Sequence, residues 1–284
     1  MLIFEVFKSI ILGIIQGITE WLPISSTGHM LIFNALCPLD ELQYSGGERF
    51  VNLFVVLIQF GSMLAVIFLF FNKLNPFSRF KNQEQRRFAF SLWKKVFLAT
   101  LPVAIIGILL NDVLEKFLSG NLIIALTLII YGIFFIVIEN SSGDFKIFNL
   151  NKLDYKTAVF IGLFQVLAII PGTSRSGATI LGALILGCVR EVGAEFSFFL
   201  SIPTIAGASL FKIISYIKHV GAGLTFNEVL VLFVGCLTAF LVSIFVISLL
   251  MKFIKKHNFK IFAYYRIALG ALVLALIGLQ LINL

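Results

Sequence analysis

The sequence predicts an all-α integral membrane protein: six transmembrane helices and two re-entrant helical hairpins, arranged as an inverted-topology repeat. Three observations carry that reading. Hydrophobic residues fill 60% of 284 positions and charged residues 13%, against roughly half and a quarter in soluble domains. The apolar runs are long and unbroken, as spanning helices require, without the short alternation of membrane strands. Two of the runs are interrupted by polar, proline-containing motifs.

Six stretches approach the length needed to cross about 30 Å of hydrocarbon as helices. They are Val51–Phe71, Val96–Leu110, Leu122–Ile138, Glu195–Phe211, Val229–Leu250 and Tyr264–Ile282. The second is short and contains Pro102, so it is expected to tilt, kink or extend into its flanks.

The other two apolar regions, 2–36 and 157–189, are broken in their middles. The first contains Trp21-Leu-Pro-Ile-Ser-Ser-Thr-Gly-His29, and the second Pro171-Gly-Thr-Ser-Arg-Ser-Gly177. Each reads as two short helices around a break, neither half long enough to cross alone. Irregular backbone at membrane depth survives only inside protein or beside a wet cavity. Both regions therefore read as re-entrant hairpins whose tips meet near the midplane.

The hairpins also resemble each other. At an offset of 149, Gly13, Gln16, Ser25 and Gly28 align with Gly162, Gln165, Ser174 and Gly177, and Thr27 falls opposite Ser176. This supports one membrane domain over 1–284 built of two repeats, about 1–140 and 150–284. Interrupted segments at matching places in two halves point to a binding site where the repeats meet.

Charge supplies the orientation. The segment Asn72–Lys95 carries seven Lys/Arg, Lys252–Lys260 carries four, and Lys146, Lys152 and Lys156 precede the second hairpin. The alternate loops hold few. The positive-inside rule assigns the basic set to the cytoplasm, which leaves both termini outside and sends the two hairpins in from opposite sides.

This accounts for the net charge of +8 as topology signal and contact with anionic lipid, and nucleic acid is not an expected partner. Cys37, Cys188 and Cys236 lie far apart, with no spacing for a metal site or disulfide framework. The N-terminal apolar stretch lacks a basic start and a cleavage site, so it is expected to be retained.

Within the breaks, Gln16 and Glu20 share one helix face, and Ser26 and His29 share another. Pro23 stops the first helix, and Ser25, Ser26 and Thr27 can cap the next. Thr173, Ser174, Arg175 and Ser176 open the corresponding helix of the second hairpin. Two helix starts aimed at one volume, with a guanidinium between them, bind anions and suit phosphate oxygens. Ionisable groups placed inside a membrane are functional candidates by default. A secondary transporter of an anionic or lipid-linked substrate uses the same broken-helix architecture.

Gln16-Gly-Ile-Thr-Glu-Trp-Leu-Pro-Ile-Ser-Ser-Thr-Gly-His29 and Pro171-Gly-Thr-Ser-Arg-Ser-Gly-Ala-Thr179 resemble the two signature motifs of the bacterial undecaprenyl-diphosphate phosphatase family, also called bacitracin resistance proteins. The segment Asn52–Ile67, with its Leu-Ile-Gln-Phe-Gly-Ser core, is similar to the family's segment after the first hairpin. The resemblance implies Glu20, Ser26, His29 and Arg175 as catalytic residues. Gln16, Ser25, Thr27, Thr173, Ser174 and Ser176 are the expected substrate-binding residues. Many members have Glu where Gln16 stands, which leaves Glu20 as the carboxylate for a divalent cation, Mg2+ or Ca2+, with Gln16 a poorer ligand. An acidic residue often precedes the second hairpin, where Asn151 and Asp154 lie here. The implied reaction is hydrolysis of undecaprenyl diphosphate to undecaprenyl phosphate and inorganic phosphate, with Ser26, His29 or water as attacking group. Expected partners are that polyprenyl lipid, membrane lipids and a second copy of the chain. The expected location is the bacterial plasma membrane, with the active site near the midplane and opening outward.

Overall fold

The computed structural model describes residues 2–41, 44–118, 120–141, 145–221 and 223–282, with backbone alone over 110–118. Among the described residues the regular elements are helices, apart from an isolated parallel bridge between Ile147 and Cys188. In chain order they are α1 (Leu2–Thr19), α2 (Ser26–Leu36), α3 (Glu48–Leu69), the short α4 (Phe71–Leu74), α5 (Gln83–Leu118) and α6 (Asn121–Asn140). Then follow α7 (Tyr155–Val166, continued by a 3-10 turn, Leu167–Ile169), α8 (Arg175–Ile185), α9 (Arg190–Val220), α10 (Phe226–Phe253) and α11 (Lys260–Gly278).

Among the described residues seven helices, not six, are long and apolar enough to cross a bilayer. The addition is α1. Its 18 residues span about 27 Å at 1.5 Å per residue, within the lower range for a crossing. The expectation that neither arm of the first hairpin could cross is therefore corrected for this arm. The helix ends at Thr19, ahead of Pro23, and Gln16 Nε2 in its last turn bonds Glu20 Oε2 just beyond the end at 2.8 Å.

Other helices outgrow their expected ends. α5 begins at Gln83 and runs through Pro102, and α9 runs through Pro203. Arg86, Arg87, Lys94 and Lys95 thus ride on the first turns of a helix rather than in a loop.

Both interrupted regions fold back on themselves. Near the start of α1, Glu5 accepts from Tyr44 Oη at 2.6 Å and from Asp40 N at 3.2 Å, and Lys8 Nζ reaches Pro38 O at 2.7 Å. The chain leaving α2 therefore returns to the end where α1 began. The second region closes likewise: Ile147 N bonds Gly187 O at 3.0 Å, and Val189 N bonds Ile147 O at 3.0 Å.

These two bases lie at opposite ends of α10. Glu228, in its first turn, accepts from Ser45 Oγ at 2.9 Å beside the first base. Beyond its last turn, Phe259 N donates to Glu139 Oε1 at 3.0 Å, and Glu139 is paired with Arg190 beside the second base. A 28-residue helix separates them by about 42 Å. α11 starts at the second base and runs back, so the start of α1 and the end of α11 lie toward the first.

α1 packs along α10 and α7 along α5, while α3 meets α9 and α10, and α6 meets α11. Glycine permits the closest of these crossings. A Cβ on Gly13 would stand 2.6 Å from Gly235 O, and one on Gly162 would stand 2.0 Å from Ala99 O. Without a hydrophobic drive between helices in lipid, such close backbone approach is what packing relies on. The largest buried cluster, with Trp21, Phe196, Phe198 and Phe199, fills the interior around the breaks and the second hairpin. Phe68, Phe211, Phe233 and Phe245 point outward instead, where lipid replaces water as their solvent.

Gly162→Ala should therefore destabilise the protein by about 1–3 kcal/mol through overpacking, read as a lower unfolding temperature in detergent. Gly207→Ala, with nothing within 4 Å of the new methyl, should leave that temperature unchanged or raise it.

Candidate active site

The two breaks give their following helices the same start. Ser25 holds φ 72° and accepts from Gly28 N, while Ser174 holds φ 69° and accepts from Gly177 N. Positive φ in a residue with a Cβ costs of order 1–3 kcal/mol, so both turns depend on their surroundings to hold them. Each serine caps one N–H of the first turn. The N–H groups of Ser26 and Thr27, and of Arg175 and Ser176, have no carbonyl within their own helices. The residues that align at an offset of 149 thus occupy equivalent places in two equivalent caps.

Glu20 and Arg175 join the breaks. Arg175 Nη2 lies 3.0 Å from Glu20 Oε1, with side chains only 11% and 8% exposed. Arg175 Nη1 donates to Ser197 O at 2.7 Å, and the guanidinium lies 5.6 Å from the centre of the Trp21 ring. The other carboxylate oxygen, Glu20 Oε2, accepts from Gln16 Nε2 at 2.8 Å and from Ser26 Oγ at 3.4 Å. Ser176 Oγ donates to Glu20 O at 3.0 Å, tying the start of α8 to the end of α1.

A polar cavity of about 190 Å3 opens between the breaks. One water needs about 10–15 Å3 by this measure, so a phosphate group fits. Glu20, Ser26, Thr27, Gln59, Ser174 and Arg175 line it, walled by the backbone between Ala168 and Gly172.

The expected residues separate into three groups. Glu20, Ser26, Thr27, Ser174 and Arg175 face the cavity. Gln16, Ser25, Thr173 and Ser176 are fully buried behind it. Of these, Ser25 is spent on its cap and Ser176 on the carbonyls of Glu20 and Leu22.

His29 stands apart, with Nδ1 2.7 Å from Ser25 O and Nε2 2.7 Å from Tyr265 Oη, its ring stacked on that tyrosine. A carbonyl only accepts, so Nδ1 carries the proton and Nε2 accepts from Tyr265 when the ring is neutral. Its ring nitrogens bond neither Ser26 nor Glu20.

Asp154 lies at the base of the second hairpin, one α7 length from the break, and caps that helix through Thr157 N at 2.7 Å. That bond holds its carboxyl below the usual carboxylate range.

Three contributors escaped the sequence reading. Gln59 of α3 lines the cavity, Ser197 of α9 anchors Arg175 through its carbonyl, and Arg266 of α11 lies fully buried against both breaks. The glutamine lies within the quoted Leu-Ile-Gln-Phe-Gly-Ser segment, which was its one signal.

For a divalent cation the chain offers Glu20 Oε2 and Gln16 Oε1, a buried oxygen with no hydrogen-bond partner. No cluster of three His, Cys, Asp or Glu side chains forms among the described residues. Such a pair fits an ion whose other ligands are phosphate oxygens, as Mg2+ prefers, and does not make a closed protein cage.

A family model described as "Bacitracin resistance protein BacA" matches residues 9–272. The chain belongs to the bacitracin resistance protein family. Its relatives include "Undecaprenyl-diphosphatase 1" of Clostridioides difficile, 50% identical over 95% of this chain and 96% of the relative. "Undecaprenyl-diphosphatase" of Latilactobacillus sakei is 50% identical over 96% and 98%, and that of Enterococcus faecalis 50% over 95% and 96%. The match covers both breaks and every residue lining the cavity.

Replacing Arg175 by Lys keeps the charge but not the fork that reaches Glu20 and Ser197 together. Arg175→Lys should lower phosphate release by about 10–100-fold in a protein that still elutes as a sharp, folded species.

Proposed function

We propose that this chain is an integral membrane phosphatase that hydrolyses undecaprenyl diphosphate to undecaprenyl phosphate and inorganic phosphate, recycling the lipid carrier of cell-wall polysaccharide synthesis. The observation that carries it is one cavity lined by a nucleophilic hydroxyl, a carboxylate and a guanidinium, in a chain half-identical to undecaprenyl-diphosphatases along its length. The apolar exterior keeps the polyprenyl tail in lipid while the headgroup enters the polar pocket.

Arg175 and the first-turn N–H groups of α2 and α8 hold the terminal phosphate and offset the charge that develops as it transfers. Arg175 Nε is buried and has no protein partner, a donor that suits an incoming phosphate oxygen. Ser26 Oγ is the attacking atom and Glu20 Oε2, 3.4 Å away, takes its proton. The new Oγ–P bond forms as the bridging P–O bond breaks, releasing undecaprenyl phosphate. Glu20 passes that proton to the leaving phosphate oxygen, and as carboxylate again it deprotonates a water that attacks the phosphoserine. The P–Oγ bond breaks, Ser26 Oγ regains a proton from Glu20, and inorganic phosphate leaves. His29 fixes the first turn of α2 through Tyr265 rather than exchanging the proton of Ser26. A divalent cation held by Glu20 and Gln16 with the diphosphate would supply further neutralisation of phosphate charge.

The two hairpins are read as re-entrant, related by an internal two-fold that exchanges repeat 1, about 1–140, with repeat 2, about 150–284. The opposed bases and the matched caps at Ser25 and Ser174 support this. The proposed location is the bacterial plasma membrane, with the second base cytoplasmic, both termini outside and the pocket opening outward; the gathering of basic residues toward the second base supports that orientation.

Detergent-purified protein should release phosphate from undecaprenyl diphosphate in a malachite-green assay, with no vesicle or gradient. Ser26→Ala, Glu20→Ala and Arg175→Ala should each lower the rate by about 100-fold or more. A chelator should slow the wild type and Mg2+ or Ca2+ restore it. No release from any folded preparation, alongside transport in sealed vesicles, would replace the phosphatase reading with a transporter.

A further inference from the structure

Arg266 has no role in the chemistry above, yet it is fully buried on α11. Its guanidinium meets backbone carbonyls: Gly172 O at 3.0 Å, Pro23 O at 3.3 Å, Leu128 O at 3.4 Å and Thr127 O at 3.5 Å. Pro23 belongs to the first break and Gly172 to the second. The group also lies under the first turn of α8, where a Cβ on Gly177 would stand 3.1 Å from Nη1, and 5.6 Å from the centre of the Tyr131 ring.

Among the described residues no carboxylate forms a salt bridge with it, whereas Arg175 and Arg190 each have one. A charge kept inside a membrane protein without a counter-ion is costly unless an anion arrives to meet its field. The pair Glu20–Arg175 is neutral as a unit, so the net positive charge beside the cavity comes from Arg266. Gly172 is the link: it lines the cavity and its carbonyl holds Arg266.

We propose that Arg266 is a positioning residue with two tasks: it clamps the two chain breaks together, and it holds a fixed positive charge one backbone layer behind the pocket for the diphosphate headgroup. This rests on the phosphatase reading and deepens it. A mere brace needs donors to carbonyls, which glutamine or lysine also provides. A counter-charge needs the charge itself.

The test compares Arg266→Gln and Arg266→Lys with the wild type for turnover of undecaprenyl diphosphate and inhibition by inorganic diphosphate. Wild-type turnover checks the phosphatase reading; the variants check this one. At neutral pH, Arg266→Gln should raise KM and the inhibition constant together by about tenfold with kcat changed less than about threefold, and Arg266→Lys should stay near wild type.

A buried lysine loses its proton at alkaline pH and an arginine does not. The Lys variant's KM should therefore climb relative to wild type between about pH 7 and pH 10. The other titratable groups nearby are Tyr131 on α6, Tyr265 on α11, His29 on α2, and Glu20 and Arg175 at the breaks. They are common to both proteins and cancel in the ratio. If Arg266→Gln does not fold, the Lys profile decides alone. A wild-type KM in Arg266→Gln, a Lys variant parallel to wild type at every pH, or failure of both variants to fold would overturn the proposal.

Discussion

Everything in this protein depends on the buried contact between Glu20 and Arg175. It is made by two segments that both had to leave helical geometry inside an apolar environment. Removing one partner of a buried pair costs about 3–5 kcal/mol, because a lone charge is left behind. Each break therefore stabilises the other. The positive-φ serines, the Ser176 bond to Glu20 O and the Arg175 bond to Ser197 O are the second layer that keeps the pair in register.

Much of this was legible in the sequence, for identifiable reasons. A proline-containing polar run inside a long apolar stretch has few physical outcomes in lipid, so the two breaks announced themselves. Ser25 and Ser174 matched at a fixed offset because the same cap needs the same small hydroxyl residue, followed three positions on by glycine. Glu20 and Arg175 stood out because ionisable groups are rare in such surroundings.

What stayed hidden depends on tertiary direction. His29 lies only three residues after Ser26, yet its ring turns to Tyr265 of α11, a partner 236 residues away that no local period reveals. Ser25, Thr173 and Ser176 have the right chemistry for phosphate, but the fold buries them. Arg266 lies near the start of the expected span Tyr264–Ile282, and its carbonyl partners in both breaks are far from it in sequence, so no local pattern points to them. The spanning length of α1 was missed because a region broken in its middle was read as two halves too short to cross, although the first half alone supplies 18 apolar-rich helical residues.

A double-mutant cycle on Glu20 and Arg175 tests most directly that the two breaks make one site. Phosphate release from undecaprenyl diphosphate is measured for Glu20→Gln, Arg175→Gln and the double variant, each verified as folded. If the pair acts as a unit, the double variant is no slower than the worse single variant within about threefold. Losses that multiply, with each single change acting independently of the other, would contradict the account.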